Sequence, residues 1–212
     1  MTCPLCRQRK AKRFCPAEGQ TICAVCCGTY REVTIDCPFD CPHLVAARRY
    51  EREHRQPLPP ERLPYPEMRV SLDRIERQQD LVVLLGRTLL DAAREPRSTD
   101  ADALQAIAAL AETYRTLQAG IYYEAAPAGA LARDLYSRLA GSLAEYKKAQ
   151  AERAGFAAVK DGEILEVLVF LLRLGAQETD TVRPRSHAFL DFLRSELPAP
   201  RPATESPRIL TA

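Results

Sequence analysis

The stretch Cys3-Pro4-Leu5-Cys6, Cys15, Cys23-Ala24-Val25-Cys26-Cys27, Cys37-Pro38-Phe39-Asp40-Cys41-Pro42-His43 holds all eight cysteines of a 212-residue chain. A segment of about 40 residues cannot bury enough apolar surface to fold unaided, so a disulfide or a metal is needed as a staple. Met1-Thr2-Cys3 runs straight into the motif, with no charged and apolar leader before it. No apolar run approaches the ~18 residues of a membrane span. These features set the expectation of a cytoplasmic chain without a membrane segment. Thiols stay reduced there, and clustered cysteines hold metal.

The C-x2-C pairs Cys3/Cys6 and Cys23/Cys26 each aim two sulfurs at one point, as a zinc knuckle requires. Structural zinc takes four thiolate or imidazole ligands in a closed tetrahedron. Eight cysteines with His43 nearby therefore suit two zinc ions. A sequential pairing would put Cys3, Cys6, Cys15 and Cys23 on one ion. The interleaved pairing is preferred: Cys3, Cys6, Cys23 and Cys26 on the first, with Cys15, Cys37 and Cys41 on the second. An iron–sulfur site also uses four cysteines, but its familiar runs are spaced differently.

This spacing resembles the B-box and HIT-type zinc fingers, which bind two zincs in a cross-brace. The resemblance covers residues 3–43, and Arg13-Phe14-Cys15 and Thr21-Ile22-Cys23 fit it as well. It implies a non-enzymatic module that binds a protein partner of unknown identity. The chain departs from the family at its closing pair, which is Cys37 and Cys41 in place of two histidines, and in carrying Cys27. The eighth ligand is one of Cys27, His43 or Glu18, preferred in that order. Glu18 stands where the B-box often has an acidic ligand.

Outside residues 1–45 the pattern is helical. A polar exit helix follows His43, and its isolated Glu51/His54 pair reads as a solvated face, because a di-iron bundle needs two such pairs. Pro57, Pro59, Pro60, Pro64 and Pro66 make an extended spacer and a domain boundary, so residues 46–69 join the two parts. Residues 70–197 read as a bundle of about five helices. The first runs over 72–94, with Ile75, Val82, Leu85, Leu89 and Ala93 inward. The second is announced by Ser98-Thr99-Asp100 and carries Ala103, Ile107, Leu110, Tyr114, Leu117 and Ile121 on one stripe. The third ends near Ala154, with Gly155 closing it. The run over 164–172 is apolar nearly all round and is expected to be the central helix, stopped by Gly175. Glu166, which interrupts it, is assigned to a narrow wet face. Pro184 is expected to open the last helix. Residues 198–212 read as a disordered tail. The expected fold class is mainly α, with a small N-terminal cysteine-rich zinc module. In that module Glu32-Val33-Thr34-Ile35-Asp36 alternates like a strand.

Catalytic signals are missing. The three histidines sit in no nucleophile motif, and nine glycines build no phosphate-binding loop. The expected function is a zinc-binding adaptor, with the helical surface free for a second contact or a homodimer. Two alternatives are carried. In one, Arg7, Arg9, Lys10, Lys12 and Arg13, with Arg48, Arg49 and Arg52, bind nucleic acid. A net charge of +2 and one short basic loop argue against this. In the other, Cys26-Cys27 releases zinc on oxidation, making a redox sensor.

Overall fold

The computed structural model describes residues 1–94, 98–121, 123–154, 159–179 and 182–197. Pro96, Tyr122, Gly155 and the tail assigned to 198–212 lie outside the described residues.

The chain is mainly α-helical, with a small cysteine-rich module at its N-terminus. The module opens with a two-stranded antiparallel hairpin, β1 (Arg13–Cys15) and β2 (Gln20–Ile22), in which Phe14 faces Thr21. Gly19 turns the hairpin at φ 64°, a conformation that costs a glycine little. A short helix, α1 (Ala24–Tyr30), begins inside the second knuckle, directly after Cys23. Residues 32–36 form no strand of the hairpin. Glu32 adopts φ 56° instead, and its N–H bonds to the carbonyl of Ile35 at 3.1 Å, closing a turn. All eight cysteines join Ile22, Ile35 and Leu44 in one cluster, so sulfur replaces the hydrocarbon core this segment is too short to build.

The exit helix is α2 (Pro42–His54), entered through Pro42, where a missing N–H is harmless. The proline stretch beyond it holds one 3-10 turn at Pro60–Arg62. It is strapped to the bundle. The Arg173 guanidinium donates to the carbonyls of Pro64 (3.0 Å), Tyr65 (2.6 Å) and Met68 (2.7 Å), while Gln177 Oε1 accepts the N–H of Leu58 at 2.8 Å.

Among the described residues six further helices follow: α3 (Leu72–Arg77), α4 (Gln79–Ala92), α5 (Asp100–Gln118), α6 (Ala130–Ala154), α7 (Asp161–Glu178) and α8 (Ala188–Glu196). The expected first helix breaks in two at Gln78. Ile75 and Leu81 are both buried, yet six residues on one continuous helix would point them about 120° apart. The break lets both reach one core, and Val82 is left only half-buried. Helix α5 starts on a capping box between Thr99 and Asp102, as its start signal implied. Ile121 falls past its end and is 64% exposed.

Helix α7 is the hub, with every residue from Ile164 to Val169 buried. It is not stopped by Gly175 but runs on to Glu178. A side chain at Gly175 would collide with Leu104 and crowd Phe189, so this glycine permits close packing of α5 and α8 on α7. Glu166 belongs to no wet face. It is 5% exposed, accepts the N–H of Ser71 at 2.7 Å and lies 3.2 Å from Arg74, pinning the start of α3. Helix α8 begins four residues after Pro184, because its free N–H groups are met there by a carboxylate from α5. The buried Asp100 accepts the N–H of Phe189 and of Leu190, each at 3.1 Å, and the Ser186 hydroxyl at 2.7 Å. Among the described residues no helix is long and apolar enough to cross a membrane.

Candidate metal centre

The four sulfurs of Cys3, Cys6, Cys23 and Cys26 lie within 4.8 Å of one another, a group that could hold a metal ion. The two knuckles bring them there. After Cys3 the chain turns so that the N–H of Arg7 reaches the Cys3 carbonyl at 2.7 Å. Cys23 sits just before α1, and its sulfur accepts the N–H of Cys26 at 3.3 Å. The N–H of Cys23 in turn donates to the Cys3 sulfur at 3.2 Å, stitching one knuckle to the other. Cys6 and Cys23 are 3.9 Å apart, sulfur to sulfur.

The electrostatics explain why these thiols want a cation. The backbone N–H groups of Gln8 and Arg9 point at Cys6 and hold its thiol down to about 6. At Cys3 burial resists ionisation, but the N–H groups of Cys6, Cys23 and Leu5 outweigh it and lower the thiol below its usual range. Burial, together with crowding by Cys23, Cys6 and Cys3, pushes Cys26 up to about 12. Backbone N–H groups thus favour thiolates at Cys3 and Cys6, while the Cys26 proton is held until a positive charge replaces it.

The remaining cysteines are arranged less tightly. Burial pushes Cys37 up to about 11, opposed by the N–H of Glu32 and assisted by the charges of Cys41, Glu32 and Cys15. Cys41 and Cys15 are thus each within electrostatic reach of Cys37. Cys27 is buried in the same cluster. Next to Cys26 on α1, it projects about 100° round the helix from it and is not part of the first tetrad. His43 is half-buried at the start of α2, and Glu18 is exposed in the hairpin turn. Among the described residues, only Cys3, Cys6, Cys23 and Cys26 come together as a ligand group.

A second feature went unread in the sequence. Glu32, 1% exposed, receives Arg48 of α2 and the N–H of His187 at the head of α8, the latter at 3.1 Å. Arg48 also pairs with Asp191 of α8. The Glu32 carbonyl accepts the N–H of Arg185 at 2.9 Å. Around this centre, Arg183 bridges to Glu51 at 3.0 Å, Arg194 covers the Phe39 ring at 4.0 Å, and Phe39 meets the His187 ring edge-on at 5.0 Å. Burial resists the charge on Glu32, but His187 and Arg48 overcome it and hold its carboxyl below the usual range. Burial also weakens Arg48's hold on its proton, yet a guanidinium stays charged in any protein. One signal was legible: Leu44 and Arg48 are one helical turn apart on the face that docks.

Fold and site together define a mainly α-helical chain whose N-terminal cysteine module could hold a metal ion. No protein-family model matches the chain, and no curated protein or solved structure matches it.

Proposed function

We propose that this chain is a zinc-binding, non-enzymatic interaction protein of the reducing cytoplasm, built on a B-box/HIT-like cross-brace that holds two zinc ions. The observation that carries the reading is the closed tetrad of Cys3, Cys6, Cys23 and Cys26. Four thiolates fill a tetrahedral zinc and leave no position for a reacting water, which is the arrangement of a structural ion. The second ion would be held by Cys15, Cys37 and Cys41, supported by their burial in one cluster and by the influence of Cys15 and Cys41 on Cys37. Cys27 is favoured as its fourth ligand, because it is buried in the same cluster while Glu18 is exposed. Zinc is favoured over iron because a closed all-thiolate set of knuckles suits a tetrahedral ion without redox chemistry.

Elemental analysis of the purified full-length chain tests the metal. About two zinc equivalents are expected, and iron, or one equivalent or none, would overturn the two-zinc reading. Affinity capture with the wild type and with Cys23→Ser, followed by mass spectrometry and nuclease treatment, tests the adaptor role. A protein held by the wild type, resistant to nuclease and lost with Cys23→Ser, is expected. Recovery of nucleic acid alone would favour the basic-loop alternative instead.

A further inference from the structure

The two knuckle tips carry apolar side chains that point away from the core. Leu5 lies inside the first C-x2-C turn and is 39% exposed; Val25 lies inside the second and is 51% exposed. Their flanking sulfurs share one tetrad, so both tips border the same candidate metal centre. Phe14, on the outward face of β1, is 59% exposed. A module this small has few apolar side chains, and these three are in water, with Leu5 and Phe14 flanking the basic run 7–13 in sequence.

The same loops carry the charge. Five cations lie between Arg7 and Arg13, and Glu18 is the one carboxylate before Glu32. Among the described residues none of the five makes an ion pair. Their backbone is already fixed. The N–H of Cys3 bonds to the Arg9 carbonyl at 2.8 Å, that of Ala11 to the Met1 carbonyl at 3.1 Å, and Thr2 bridges to Lys10. A fixed basic loop loses little conformational entropy when a ligand arrives.

From this juxtaposition we propose that the knuckle tips and basic loop form a docking face for an acidic segment of a partner protein, one with an aliphatic or aromatic side chain set among its carboxylates. This rests on the adaptor reading and names its partner's chemistry. The carboxylates meet the loop cations, and the apolar side chain covers Leu5, Val25 or Phe14. A nucleic acid fits less well, because a polyanion needs a longer stripe of cations. Two of the three arginines of α2 that would extend the stripe are consumed, leaving Arg49 exposed: Arg48 is buried on Glu32 and Asp191, and Arg52 lies 3.6 Å from Glu178 with its guanidinium over Phe192.

The test uses the full-length, metal-loaded chain and fluorescence anisotropy. The probes are a set of Asp/Glu-rich peptides with one central Leu or Phe, the same peptides with Ala at that position, and a single-stranded oligouridine of similar length. Micromolar binding of the Leu or Phe peptides is expected, weakened about fivefold or more by Phe14→Ser, by Arg9→Gln with Lys12→Gln, and by the Ala peptides. These side chains are on the surface, so an unchanged thermal midpoint shows that each variant is folded. Oligouridine binding as tight as the peptides, no peptide binding at about 1 mM, or binding indifferent to both variants would overturn the proposal. A captured partner whose retention ignores Phe14 and the loop cations would leave the adaptor reading standing and remove this face alone.

Discussion

Arg48 of α2 reaches Glu32, sixteen residues before it, with both side chains nearly excluded from water. Glu32 belongs to the cysteine module and holds the N–H of His187 at the head of α8. A buried charge left alone is expensive, and breaking such a pair by removing one partner costs about 3–5 kcal/mol. Arg48→Met is therefore expected to lower unfolding free energy by about that much, measured by urea denaturation. The double variant Glu32→Leu/Arg48→Met should lose clearly less than the sum of the single losses, since no orphan charge remains. A loss below about 1 kcal/mol for Arg48→Met would show the pair to be no more than a surface contact.

Because that pair spans module and bundle, loss of the metal should be felt far from the sulfurs. Cys23→Ser, or chelation of the wild type, is expected to unfold the module while most of the far-UV helix signal persists, since the core around α7 has its own apolar contacts. The bundle should nevertheless melt several degrees lower, because Arg48 and the N–H of His187 lose Glu32. A bundle midpoint indifferent to chelation would mean that the two parts are energetically separate.

Proton release should accompany metal binding. In the metal-free module Cys6 is held down to about 6, so it is already a thiolate at neutral pH. Cys26, pushed up to about 12, and Cys37, at about 11, still carry their protons there. A group whose value lies above the working pH yields its proton only to the incoming cation. Affinity must then rise with pH through the neutral range. Calorimetric zinc titrations in buffers of different ionisation heat should show at least about one proton released per ion bound. A pH-independent affinity would contradict these assignments.

Asp100 does for α8 what a local cap would otherwise do, from another helix. Asp100→Ala strands the N–H groups of Phe189 and Leu190 and the Ser186 hydroxyl in a buried place, at a cost of about 2–4 kcal/mol. Thr99→Ala removes an ordinary local cap and should cost about 1 kcal/mol. Comparing the two by thermal or urea unfolding separates them, and equal losses would deny Asp100 its second role.

Arg173→Met should free the proline strap without melting the bundle. Three carbonyl acceptors, those of Pro64, Tyr65 and Met68, lose their common donor. Limited trypsin digestion should then cut after Arg62 or Arg69 markedly faster than in the wild type. An unchanged digestion rate would place the hold on this segment elsewhere.

Sequence alone determined that cysteines must replace a core in the first 43 residues, and it favoured a shared centre for the two C-x2-C pairs over the sequential pairing. Spacing constrains sulfur geometry directly, so Cys3, Cys6, Cys23 and Cys26 could be grouped before any coordinates. Helical periodicity likewise placed Leu85, Leu89, Ala103, Ile107 and Leu110 inside, where they are found. Tertiary structure alone decided what distant residues do for one another. Nothing near Glu166 in the chain announces that Ser71 and Arg74 will meet it, and nothing near Glu32 announces Arg48 and His187. The break at Gln78, the uninterrupted run of α7 through Gly175 and the late start of α8 have the same origin. Each is settled by where a partner helix places an apolar face, a carboxylate or a close-packed side chain, and local pattern carries no information about partners that arrive through space.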